Sequence, residues 1–329
     1  MTRRTIAALV SLVLGIALAA AGGAGARTGD TTLSLVAYSV PRDALGAVIK
    51  AWQQTPDGRG VGFTQSYGAS GDQARAVAAG LDADVVQLST GLDVDALVRA
   101  GLVDRTWDRQ TAGGIATNSV VVFAVRDGNP EHIRSWSDLV RPGVQIVTPN
   151  PASSGAAKWN VMAAYGAQRR LGKTDRQAVA FVEKLTRNVV SLDTSARNAT
   201  NTFLSGRGDV FVTYENEARL AKLQYVIPRQ TLLIEAPIAL VETSDHKTLA
   251  RKFIRFTRSP QAQRIFAQYG FRPVLPSVYQ EFLDQYPKRP GIFRITDRYL
   301  GGWSAVEKRW FDPDKGLWVG IAKRTGVGA

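Results

Sequence analysis

A chain of 329 residues, 45% of them apolar, is long and apolar enough to build about two folded lobes and too apolar for a disordered one. With no cysteine and only His132 and His246 as imidazoles, it excludes disulfides, thiol nucleophiles, Cys-linked lipid and Cys- or His-rich metal sites, and leaves a serine nucleophile short of a base. The formal charge of +13 favours small anions or an anionic membrane surface, and no dense Lys/Arg run marks a nucleic-acid site.

The first predicted element is a secretory signal over residues 1–26. A basic start at Arg3 and Arg4 precedes an apolar run over 6–20 and the small residues of 21–26, where Ala24-Gly25-Ala26 matches a cleavage site. About 15 apolar residues fall short of the ~20 that cross a bilayer, so an anchor is disfavoured and the mature chain is expected in the periplasm. A β-rich run at 33–38 then leads into a helical pattern with Leu45, Val48, Ile49 and Trp52 on one face. Residues 61–64 run through the loop at 67–71 into a helix over 72–79, and a strand at 85–88 precedes a helix over 93–100 ended by Gly101. This alternation predicts an α/β protein with a mainly parallel sheet.

Residues 118–125 read as a long buried strand that crosses into a second lobe. Strands at 144–148, 189–192 and 210–213 follow there, each leading through a loop to a helix: 155–168, one near Thr200, and one from Glu215. Residues 232–241 carry the chain back, and the remainder reads as largely helical. The expected organisation is therefore 27–116 with 232–329 as lobe 1, including a C-terminal helical segment, and 117–231 as lobe 2.

Enzyme and metal motifs fail individually. Gly172-Lys173-Thr174 lacks the P-loop glycine at position 167, where Ala167 stands, and reads as a surface turn. The pairs Asp82/Asp84 and Asp93/Asp95 lack EF-hand spacing, and Asp93 reads as a helix cap. Both histidines read as surface residues, Trp159 as packing its helix, and Trp303, Trp310 and Trp318 as anchors of the C-terminal segment. Three loops join small residues and hydroxyls to a helix start: 68–71, 153–156 and 194–197. First-turn N–H groups lack intrahelical acceptors and the helix dipole favours negative charge there, so converging loops of this kind suit a tetrahedral oxyanion. Arg197 reads either as a neutralising charge outside that shell or as a surface charge.

The strings SYGASGDQA (66–74), VVVFAVRDGNP (120–130), TPNPASSGAAKWN (148–160), DTSARNATNTF (193–203), GDVFVTYENEA (208–218) and GGW (301–303) occur in this order. Together they resemble the periplasmic sulfate- and thiosulfate-binding proteins of ABC importers across nearly the whole mature chain. The resemblance implies a two-lobed periplasmic binding protein fold of type II, with sulfate or thiosulfate held in the cleft and a membrane permease as partner. It implies a monomer, with no cofactor, metal or catalytic residue. Carried over residue by residue, it assigns ligand contacts to Ser39, Ser70, Ser154, Gly155, Ala156, Ala196 and Tyr214. Three positions depart from the family pattern: Ser39 stands for an aspartate, Ala156 for the second glycine of Ser-Gly-Gly, and Tyr214 for a tryptophan that donates its indole N–H. A set of donors without a free carboxylate favours sulfate over protonated phosphate.

Three alternatives compete. One is the same mechanism for a different tetrahedral oxyanion or a substituted sulfur anion. A second, from another class, is a secreted hydrolase using Ser70 or Ser154, although neither loop has Gly-x-Ser-x-Gly spacing. The third is a sensory partner that binds the anion to signal.

Overall fold

A computed structural model describes residues 31–327, so the expected signal lies outside the described residues. The chain begins with β1 (Thr32–Tyr38), α1 (Arg42–Trp52), β2 (Gly62–Gly68), α2 (Ser70–Ala78), β3 (Val85–Gln87) and α3 (Gly91–Arg99). It continues through β4 (Ile115–Val125), β5 (Ile146–Pro149), α4 (Gly155–Arg170), α5 (Asp175–Arg187), β6 (Val189–Asp193), α6 (Ala196–Leu204), β7 (Val210–Tyr214), α7 (Glu215–Leu220) and β8 (Gln224–Val226). Strand β9 (Thr231–Leu240) precedes α8 (Lys247–Thr257), α9 (Pro260–Gln268), α10 (Pro276–Glu281), β10 (Ile292–Phe293), α11 (Gly302–Val306) and α12 (Leu317–Thr325).

The apolar spacing explains the helices. Helix α1 buries Leu45, Val48, Ile49 and Trp52, the four residues its period places on one face. Helix α3 starts two residues before the expected position, because Thr90 is the cap: its Oγ1 accepts the Asp93 N–H at 3.2 Å. Asp93 is therefore not a cap, and its carboxylate is free for another use. Gly101 ends the helix segment in the left-handed region at φ 74°, which glycine adopts without strain. Helix α5 has no counterpart in the sequence reading, although Thr174 and Gln177 form a capping box at its start. The Gly172-Lys173-Thr174 string is the turn that precedes it.

The strand order is β2-β1-β3-β9-β4-β7-β5-β6, with β8 on β4 and β10 on β9. Strands β1, β2 and β3 are parallel to one another, as are β5, β6 and β7, while β9 and β4 run antiparallel between the two groups. Residues 115–120 of β4 pair with β9, and 121–125 pair with β7; in turn, 238–240 of β9 pair with β3. The two longest strands thus join the groups through each other, β9 pairing with β3 on one side and β4 with β7 on the other. The uninterrupted apolar run at 120–125 follows from this placement, since both faces of β4 are covered. Val121, Phe123 and Val125 join one buried cluster, and Val120, Val122 and Ala124 another. The C-terminal segment closes against α4: Trp310 packs edge-on to Tyr165 at 4.9 Å, and Trp303 to Trp159 at 4.5 Å.

Candidate anion-binding site

Six strands, β1, β2, β3, β5, β6 and β7, end where helices begin, which is the edge at which open α/β sheets place their ligands. Ser70 is the first residue of α2, Gly155 and Ala156 open α4, Ala196 opens α6, and Tyr214 immediately precedes α7. Ser70, Ser154, Gly155, Ala156, Ala196 and Tyr214 are all buried, while Ser39 is half-buried.

The helix starts expose their N–H groups as first turns must. Among the described residues the N–H groups of Ser70, Gly155, Ala156 and Ala196 have no protein acceptor. Ala156 has a negative φ, so its methyl is tolerated where the family has glycine. Ser154 stands at the N-cap of α4 and is only 3% exposed, yet its side chain makes no capping bond. Its hydroxyl is thus left beside two free N–H groups. Ser39 contributes less than its position promises, because its N–H already donates to the Gly68 carbonyl at 2.8 Å.

Ser89, just after β3, ties the two strand groups together. Its N–H donates to Ser70 Oγ at 2.8 Å, and its carbonyl accepts the Trp159 indole N–H at 2.8 Å. Its Oγ lies 2.6 Å from the Tyr214 hydroxyl oxygen. Ser70 Oγ in turn donates to Asp93 Oδ2 at 2.6 Å, and Asp93 Oδ1 lies 3.5 Å from Lys158 Nζ on α4. Gly155 is required by this closeness: a Cβ there would lie 2.7 Å from Ser89 Cβ and 3.0 Å from Thr90 Cγ2. Beside it, the Gly71 N–H donates to the Ser153 carbonyl at 3.0 Å.

The buried carboxylates around the cluster each have a cation. Asp93 faces Lys158; Glu217 accepts from Arg197 Nη2 at 3.0 Å and Nε at 3.2 Å; Glu215 accepts from Arg272 Nε at 2.7 Å. Arg197 is therefore neither a spare neutralising charge nor a simple surface charge, since it is bound to buried Glu217 and lies 3.7 Å from Asp43. Burial holds the Tyr214 phenol well above its ordinary pKa, so the side chain is a neutral hydroxyl that can both donate and accept.

The structure thus gathers Ser70, Gly155 and Tyr214 around Ser89, and sets Ser154 and Ala156 beside Gly155. Ser89 and Lys158 are absent from the sequence reading, which took Asp93 only as a helix cap. A signal for them existed in Ser89-Thr90-Gly91, a fourth hydroxyl-rich loop between a strand and a helix. Trp159 does more than pack, since its indole bridges to Ser89. His132 and His246 are exposed, as their turn contexts imply.

Known proteins match most of the chain. The family model for bacterial extracellular solute-binding proteins matches residues 33–272. The sulfate-binding protein of Synechococcus elongatus is 39% identical, covering 94% of this chain and 94% of its own. The thiosulfate-binding protein of Pseudomonas aeruginosa is 34% identical, covering 91% of this chain and 93% of its own. The solved structure of the sulfate-binding protein SubI from Mycobacterium tuberculosis H37Rv superposes with a TM-score of 0.83 at 45% identity, over 86% of this chain and 100% of that one.

Proposed function

The chain belongs to the bacterial extracellular solute-binding proteins, among the sulfate- and thiosulfate-binding members, and from that premise we propose that it captures sulfate between its lobes and delivers it to an ABC importer. The observation that carries this reading is Ser154: a nearly buried N-cap hydroxyl that caps nothing and stands beside the free N–H groups of Gly155 and Ala156. The N–H of Ala196 and that of Ser70 are the further donors. Each hydrogen bond to a charged group contributes about 1.5–3 kcal/mol, so a few such donors hold a dehydrated dianion without an arginine in contact.

Sulfate is favoured over phosphate because a protonated anion needs an acceptor. Asp93, the carboxylate nearest Ser70, already accepts the Ser70 proton and faces Lys158. The Tyr214–Ser89 hydroxyl pair is the one feature that favours a second reading, in which thiosulfate or another substituted sulfur anion is taken as well, because two hydroxyls can exchange donor and acceptor roles where an indole cannot.

In this reading the lobes are 27–116 with 232–329, and 117–231, hinged on β4 and β9, with the segment after residue 302 reaching across to α4 and α5 of the second lobe. The signal at 1–26 exports the chain to the periplasm, where it acts as a monomer that meets a membrane permease. No bond is made or broken and no cofactor takes part. A hydrolytic role is opposed by the exposed histidines and by Ser70, whose hydroxyl donates to the Lys158-paired Asp93 carboxylate rather than to an imidazole. Calorimetric titration of the mature chain with sulfate, thiosulfate, phosphate and molybdate tests the proposal. One-to-one sulfate binding that phosphate does not displace is expected. Silence toward sulfate together with binding of another anion would overturn the assignment.

A further inference from the structure

Two arginines are buried among the described residues, and their surroundings differ. Arg272 is held by both oxygens of Glu215, at 2.7 and 3.2 Å. Arg258, 6% exposed, has no carboxylate partner among the described residues. Its Nε donates to the Ile115 carbonyl at 3.1 Å, its Nη1 to Gln110 Oε1 at 3.0 Å and its Nη2 to the Ile238 carbonyl at 3.4 Å. Three of five N–H groups are thus used and two remain. A buried charge without a counter-charge is unfavourable, and burial alone pulls this guanidinium down to about 10.

Arg258 does not face a sealed interior. It lines a cavity of about 470 Å³, together with Arg255 from the last turn of α8, and Arg255 likewise has no carboxylate partner among the described residues. The other charged groups in the wall have polar partners, Asp104 through hydrogen bonds alone and Glu242 through cations. Asp104 Oδ1 accepts the N–H and hydroxyl of Thr106 at 2.7 and 2.6 Å, and Glu242 lies 3.6 Å from Lys247 and 3.8 Å from Arg251. The same wall carries the apolar side chains of Val103, Trp107, Leu240 and Ile254.

We propose that this cavity is a second anion site, which takes a small organic anion whose carboxylate or phosphate head lies against Arg255 and Arg258 while its apolar body packs on Trp107 and Ile254. A forked oxyanion matches the planar donors of a guanidinium, and burial strengthens the pairing. The site is independent of the cleft, because it shares no residue with it. It does touch the hinge: Arg258 bonds the first residue of β4 and Ile238 of β9.

The test is calorimetry with phenyl phosphate and with benzoate, titrated into the mature chain in sulfate just sufficient to fill the cleft. One-to-one binding of either is expected, the tighter of the two identifying the head group. Arg255→Glu, an exposed position, should weaken it by at least about tenfold at an unchanged melting temperature, through charge reversal. Ser154→Ala should leave it intact. Arg258→Gln should abolish it, and Arg255→Glu keeps the test decisive if that variant does not fold. Absence of heat with both probes at millimolar concentration, equal binding by Arg255→Glu, or loss in Ser154→Ala would each overturn the proposal, whether or not the cleft binds sulfate.

Discussion

Ser154 and Ser195 occupy the same position at the start of two helices and use it differently. Ser195 Oγ accepts the Asn198 N–H at 3.2 Å and so caps α6, whereas the Ser154 hydroxyl caps nothing. Removing the hydroxyl should separate the roles. Ser154→Ala is expected to lose one charged hydrogen bond, about 1.5–3 kcal/mol or roughly 10- to 150-fold in sulfate affinity, with little change in melting temperature. Ser195→Ala is expected to cost about 1 kcal/mol of stability and to leave affinity nearly unchanged. Calorimetry and thermal melts on both variants check this, and the reverse pattern would reassign the two serines. Ser89 and Tyr214 invite a different measurement, because each is the other's partner in a buried place. Ser89→Ala leaves the phenol without a bond and should cost about 1–3 kcal/mol of stability, whereas adding Tyr214→Phe should recover most of that loss. A double-mutant cycle by denaturant unfolding gives the coupling; additive losses would show that the 2.6 Å contact contributes nothing.

At the scale of elements, the parts legible in the sequence are those whose information is local. The face of α1, the buried run of β4 and the loops that open α2, α4 and α6 follow from spacing, from two-sided burial and from helix-start chemistry. Helix α5 was legible too, since its capping box is followed by Ala178, Phe181, Val182 and Leu185 at helical spacing, and the sequence reading passed over it. The meeting of Ser89 with Tyr214 was hidden: the two are 125 residues apart, and no local pattern encodes the approach. Helix α5 also holds the C-terminal segment. Asp175 accepts from Arg309 at 2.6 Å, and Glu183 from Arg324 at 2.9 Å. These arginines, acting through hydrogen bonds and charge, hold both carboxyls below the usual carboxylate range. Carboxyls depressed in the folded state contribute stability that is present above their unfolded values, about 4, and lost as pH falls through the folded ones. Acidification below about pH 4 is therefore expected to loosen the segment after residue 302, read as increased amide exchange in α12. Exchange that is unchanged there while other helices open would refute the role of these pairs.

For the whole molecule, a set of contacts around the site crosses between the two strand groups: Gly71 to Ser153, Ser89 to Trp159 and Tyr214, Asp93 to Lys158, Asp43 to Arg197. They describe a closed arrangement, and in the proposed reading β4 and β9 are the strands about which it opens. Apparent affinity is then the intrinsic affinity multiplied by the closed fraction, so a change that only favours opening weakens binding without touching the anion. Lys158→Met is such a change. With the lobes apart, Asp93 is hydrated; with them closed, it would be buried without its cation, which penalises closure. The sulfate-free variant should have a larger radius of gyration by small-angle scattering than the sulfate-free parent. Saturating sulfate should bring both to the same compact value, about 19 Å for a folded chain of this length. The variant should reach it only at higher sulfate, because binding must supply the closing energy that the ion pair no longer provides. A variant that stays expanded at saturation would mean that Lys158 builds the closed geometry itself, and equal radii without sulfate would mean that the Asp93–Lys158 pair has no part in closure.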